Sequence, residues 1–85
     1  RGIVENVASI PGIAAEIIEL IPNIGTKITK KSLREIDFPK NAIVGAVMRG
    51  NQVFIPVGKD QIEPGDKVVI FTLPSDIQEV EKLFN

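Results

Sequence analysis

The chain has 85 residues, ten basic against eleven acidic, and no cysteine, histidine, tyrosine or tryptophan. That length fits one domain with a thin core; the balanced charge offers no basic stripe to follow a phosphate backbone, and no apolar run approaches the roughly 18 residues of a membrane span. Without imidazole or thiol the chain lacks the commonest general base, the thiol nucleophile and the soft metal ligands, so the residues point to binding and regulation rather than to an enzyme.

Ile3 to Ile10 reads as a loose strand, and Pro11-Gly12 after it as the central pair of a type II turn. Ala14 to Ile21 fits a helical stripe as well as a buried strand through Ile17, Ile18, Leu20 and Ile21; its shortness and the neighbouring turn favour a strand. Pro22 to Gly25 ends it. A short helix is expected over Thr29–Asp37, with Leu33 and Ile36 three apart and Ser32 and Glu35 at capping-box spacing. Pro39 stops it.

Ala42 to Met48 is apolar on both faces and suits a central strand. Gly50-Asn51 is a two-residue hairpin signal, Gln52 to Ile55 the returning strand, and Pro56 its end. Glu63-Pro64-Gly65-Asp66 reads as a second type II turn, with Gly65 at positive φ. Lys67 to Leu73 is the clearest strand. After Pro74, Ser75 and Gln78 have capping-box spacing, and Ile77, Val80, Leu83 and Phe84 form one helical stripe. The whole chain reads as one domain, 1–85, with residues 1–12 a leading strand and turn. Because it opens at Arg1 in Ile/Val-rich sequence, it is expected to be a piece of a longer protein whose missing part lies upstream.

Chemical motifs are scarce. Ser9 and Ser75 read as turn and cap residues, and Asn41 and Asn51 as turn residues. Asp60, Glu63 and Asp66 are too sparse for a calcium loop and read as a solvated turn. No glycine-rich phosphate loop is present. No catalytic residue, metal ligand or cofactor site is assigned.

Three segments in order carry a family resemblance: Thr29 to Lys40; Ala42 to Gly50 with Val53-Phe54-Ile55-Pro56; and Ile62 to Phe71 followed by the helix from Ser75 to Phe84. Together they resemble the RCK_C or TrkA C-terminal domain, the C-terminal ligand-binding module of bacterial Trk-type potassium-uptake regulators. The resemblance implies an α+β fold, a small mixed or mainly antiparallel sheet with flanking helices. It also implies an upstream Rossmann-type nucleotide-binding domain, a membrane potassium-transport subunit as partner and a place on the cytoplasmic face of the membrane. A homodimer is implied as well, in some relatives with a small ligand such as a nucleotide or cyclic dinucleotide at its interface. The family usually carries glycine just before the short helix, where this sequence has Lys30.

The ligand or dimer-interface candidates are Arg49, Ile55 and Pro56. Arg49 ends the central strand and reads either as an anion or interface contact or as an exposed strand-end charge; a guanidinium suits a phosphate oxygen. Ile55-Pro56 reads either as an apolar rim or simply as the end of a strand. A two-fold axis through this region presents the same contacts twice to a symmetric ligand.

Overall fold

Alternating β-branched residues and turns at Gly50-Asn51 and Pro64-Gly65 produce a sheet. The computed structural model describes the backbone of residues 3–9 and 14–85, and the side chains from Ala14 onward. The strands are β1 (Ile3–Ser9), β2 (Glu16–Ile21), β3 (Ala42–Arg49), β4 (Gln52–Phe54) and β5 (Lys67–Thr72). They form one five-stranded sheet in the order β1-β2-β5-β3-β4, and every neighbouring pair is antiparallel. The ambiguous segment before Pro22 is therefore a strand, inside the sheet between β1 and β5. The Pro11-Gly12 turn lies outside the described residues.

One α-helix, α1 (Ile77–Phe84), closes the inner face of the sheet. Its stripe works as its spacing predicts: Val80 and Phe84 are fully buried against Ile18, Leu20, Val47, Val68 and Ile70. Burying each such side chain stabilises the fold by about 1.5–3 kcal/mol. Pro74 starts a single 3-10 turn, Pro74–Asp76, that leads into α1. Ser75 makes no side-chain cap; Asp76 instead accepts the backbone N–H of Asn41 at 2.8 Å, fastening the helix start to the entrance of β3.

The helix expected over Thr29–Asp37 does not form. Two 3-10 turns, Lys27–Thr29 and Leu33–Glu35, stand in its place. Ser32 between them is extended, with ψ of 156°, because it bridges Gln61. The N–H groups of Leu33 and Arg34 are drawn to the carbonyls of Asp60 and Gly58 at 2.8 Å each, away from a helical ladder. Ser32 and Glu35 do meet, Oγ donating to Oε1 at 2.9 Å, but side chain to side chain and not as a cap. Lys30 has φ of −93°, so the backbone here makes no demand for glycine.

Both turn assignments hold. Gly65 has φ of 86°, with the N–H of Asp66 donating to the Glu63 carbonyl at 3.1 Å. Gly50 has φ of 60°, and Arg49 faces Gln52 across the hairpin. Gly45 serves a different purpose. It sits at a register shift in β3, between Val44 and Ala46, and the ring of Phe71 lies over it. A Cβ there would stand 3.3 Å from that ring, so glycine leaves the space in which the ring rests.

Candidate functional site

The outer face of the sheet is mostly apolar, with Glu19 and Lys67 among its residues, and no α-helix of the described residues lies on it. Period-two alternation puts Ile17, Phe71 and Ile43 in one row across β2, β5 and β3. Glu19, Val69 and Ala46 make the next row, then Lys67, Met48 and Val53 on β4. Ile43 is 62% exposed and Val53 71%. Phe71 is also exposed, as are Ile55 and Val57 in the loop beyond β4. These exposed apolar side chains make the outer face the largest candidate surface for interaction among the described residues.

The loop 55–60 builds a small feature beside this face. Pairing between β3 and β4 stops at Val47 and Phe54, and the chain then splays away from the first half of β3. A slot of about 290 Å³ is left between them, lined by Leu33, Phe38, Ile43, Val44, Pro56 and Val57 among others. Its wall is apolar. Of the three residues singled out from sequence, Pro56 lines the slot, Ile55 stands exposed beside it, and Arg49 lies at the opposite end of β3.

Arg49 is paired within the fold and one-third exposed. It shares the inner face with Val47, two residues before it, and turns toward the Pro64-Gly65 turn. Its Nε and Nη2 donate to the two carboxylate oxygens of Asp66 at 2.9 and 2.8 Å. Nη2 also donates to the Gln61 carbonyl at 3.0 Å, and Nη1 meets Glu63 Oε2 at 3.0 Å. The guanidinium carbon lies 5.1 Å from the centre of the Phe54 ring. The hydrogen bond with Asp66 holds the guanidinium above the ordinary arginine value; partial burial opposes the shift, and the charges of Asp66, Glu63 and Asp60 assist it.

Asp66 is therefore a structural partner, not part of a solvated turn. Its side chain is 2% exposed, and Oδ2 also accepts the N–H of Glu63 at 2.8 Å. Gly65 donates to the Pro22 carbonyl at 3.0 Å, so the same turn is fastened to the exit of β2. Two carboxylates hold the guanidinium and Asp60 adds its charge, so an incoming anion meets a negative neighbourhood. Sequence reasoning missed the Arg49–Asp66 fork because the partners are 17 positions apart and nothing in a type II turn announces a buried carboxylate.

A larger groove of about 840 Å³ runs between the 3-10 turns and α1, with Ile36, Phe38 and Leu83 among its lining residues. Lys27, Lys30, Lys31 and Lys40 border it together with Asp37, Asp76 and Glu79, so its charge is mixed. No group of three or more acidic side chains that could hold a metal ion occurs among the described residues, nor does a helix long and apolar enough to cross a membrane.

Comparison with known proteins meets this geometry. A family model described as "TrkA-C domain" matches residues 17–85. The Trk system potassium uptake protein TrkA homolog 2 of Methanosarcina mazei is 47% identical over 81 residues, 95% of this chain and 18% of the relative. The TrkA homolog of Archaeoglobus fulgidus is 35% identical over 81 residues, again 95% and 18%. The Trk system potassium uptake protein TrkA of Haemophilus influenzae is 38% identical over 88 residues, covering 99% of this chain and 19% of its own. The chain thus spans about a fifth of the length of these relatives.

Proposed function

Since the chain belongs to the TrkA-C domain family, we propose that it is a dimerising, ligand-responsive regulatory domain of a Trk-type potassium-uptake system. The observation that carries this reading is the uncovered apolar face: Ile43, Val53 and Phe71 on the sheet, continued by Ile55 and Val57 in the loop. A small domain without disulfide or metal gains stability by covering such a face, and a second copy brings a matching one. The slot bordered by Ile43, Pro56 and Val57 lies next to this face, suited to the apolar part of a small regulatory ligand such as a nucleotide or cyclic dinucleotide. A ligand that binds one arrangement of the pair more tightly shifts the population toward it and so biases the attached transporter.

In the full polypeptide the domain would follow a Rossmann-type nucleotide-binding domain and act at the cytoplasmic face of a membrane potassium-transport subunit, or of another cation transporter. Arg49 enters this reading as a residue that holds the site together, not as the anion contact. A second reading is a dimerisation module without a ligand of its own: among the described residues no cation lines the slot itself, and the Arg34 guanidinium lies against its Gly58 edge. A thermal-shift screen against nucleotides and cyclic dinucleotides separates the two: a rise in melting temperature that Pro56→Ala and Val57→Asp reduce supports a ligand site, and no response to any of them leaves the dimerisation module.

A further inference from the structure

The loop 55–60 carries the exposed Ile55 and Val57 and the slot wall Pro56, and its two halves are held differently. In the second half, the carbonyls of Gly58 and Asp60 accept the N–H groups of Arg34 and Leu33 at 2.8 Å each. Just beyond, Gln61 Nε2 donates to the Thr29 carbonyl at 2.7 Å. In the first half the bonds are internal to the loop: the N–H of Val57 donates to Asp60 Oδ2 at 2.7 Å, and the N–H of Asp60 to the Val57 carbonyl at 2.9 Å. The direction in which Ile55 and Pro56 leave the sheet is thus set at Phe54.

Arg49 touches both flanks of this loop. The Phe54 ring, immediately before it, lies 5.1 Å from the guanidinium, and the Gln61 carbonyl, immediately after it, accepts from Nη2 at 3.0 Å. The buried Asp66 takes the guanidinium as a two-toothed fork and fixes its plane, and Glu63 occupies the remaining edge. We propose that Arg49 is a positioning residue: it staples Phe54 to Gln61 across the base of the loop and thereby sets how Ile55, Pro56 and Val57 are presented, without itself touching the second copy or a ligand. This rests on the proposed role of that loop as an association surface. A lysine cannot serve, because one ammonium cannot grip both Asp66 oxygens in a fixed plane while presenting a flat cation to Phe54.

The test is hydrogen–deuterium exchange read peptide by peptide on the protein and on Arg49→Lys, with self-association measured in parallel. Arg49→Lys is expected to exchange about tenfold faster across residues 53–57 while β2 and β5 keep wild-type protection, and to associate several-fold more weakly. Unchanged exchange in the loop, or acceleration spread evenly over all strands, overturns the proposal. Should the lysine variant fail to fold, Phe54→Leu removes one flank of the staple and keeps an apolar side chain; loop-restricted acceleration there supports the proposal and its absence contradicts it. Ile55→Asp separates this proposal from the reading beneath it. That variant leaves the staple intact, so weaker association with unaltered loop exchange supports both. If Ile55→Asp associates like the wild type, the association surface is elsewhere, and the exchange data on Arg49→Lys still decide whether the staple positions the loop.

Discussion

The two faces of the sheet are built from the same kinds of residue and end in opposite conditions. On the inner face Ile18, Leu20, Val68 and Ile70 are at most 1% exposed, because α1 lays Val80 and Phe84 across them. On the outer face, one residue along each strand, Phe71 is 48% exposed and Ile43 62%. Composition cannot tell the two apart, since β3 and β5 are apolar on both sides. What separates them is the cover on the inner side, which α1 makes together with Ile28 of the first 3-10 turn and Ile62 of the loop before the Pro64-Gly65 turn. The inner face accounts for the fold, and the outer face is the surface that the proposed assembly would cover.

Substitutions that break this comparison rank by the face they touch. Phe84→Ala removes the largest inner side chain and is expected to cost about 3–5 kcal/mol, a large share of the stability of a domain of this size; urea denaturation measures it. Arg49→Leu strands the buried Asp66 carboxylate. A broken buried pair costs about 3–5 kcal/mol, and because Arg49 is one-third exposed the expected loss here is smaller, about 2–3 kcal/mol. The double variant Arg49→Leu/Asp66→Leu should recover part of it, which a double-mutant cycle in urea would record. Gly65→Val forces a β-branched residue to φ of 86° and should cost about 1–2 kcal/mol in the same assay, from the backbone alone, since no atom crowds that position. Phe71→Ser, on the outer face, should change the melting temperature of dilute protein least of all. Its signature is different: the wild-type melting temperature should climb with protein concentration, as mass action requires of a dimer, and the variant should lose that climb.

Much of the fold was legible because local signals and packing agree. Pro64-Gly65 and Gly50-Asn51 specify their turns through the positive φ that only glycine adopts freely, and the Ile77, Val80, Leu83, Phe84 spacing specifies the buried stripe of α1. The segment after Thr29 was misread because its capping-box spacing is genuine, yet Ser32 is claimed by Gln61 and the Leu33 and Arg34 N–H groups by the loop 55–60. A tertiary partner there outweighs a helix too short to sustain itself. For the site, Ile55 and Pro56 were legible as an apolar strand end. The pairing of Arg49 was not, because only the folded sheet brings Asp66, Gln61 and Phe54 to it. Ile43 was read within a central strand and Phe71 within the clearest one, and neither reading said which side of the sheet would be covered.

Sedimentation equilibrium on the wild type and on an Ile43→Asp/Phe71→Asp variant tests the central claim most directly. The outer-face account predicts a wild-type mass near twice 9.3 kDa at micromolar concentration, and a folded variant, with unchanged circular dichroism, that sediments as a single chain. A wild type that stays monomeric at hundreds of micromolar, or a dimer that survives both aspartates, would contradict it.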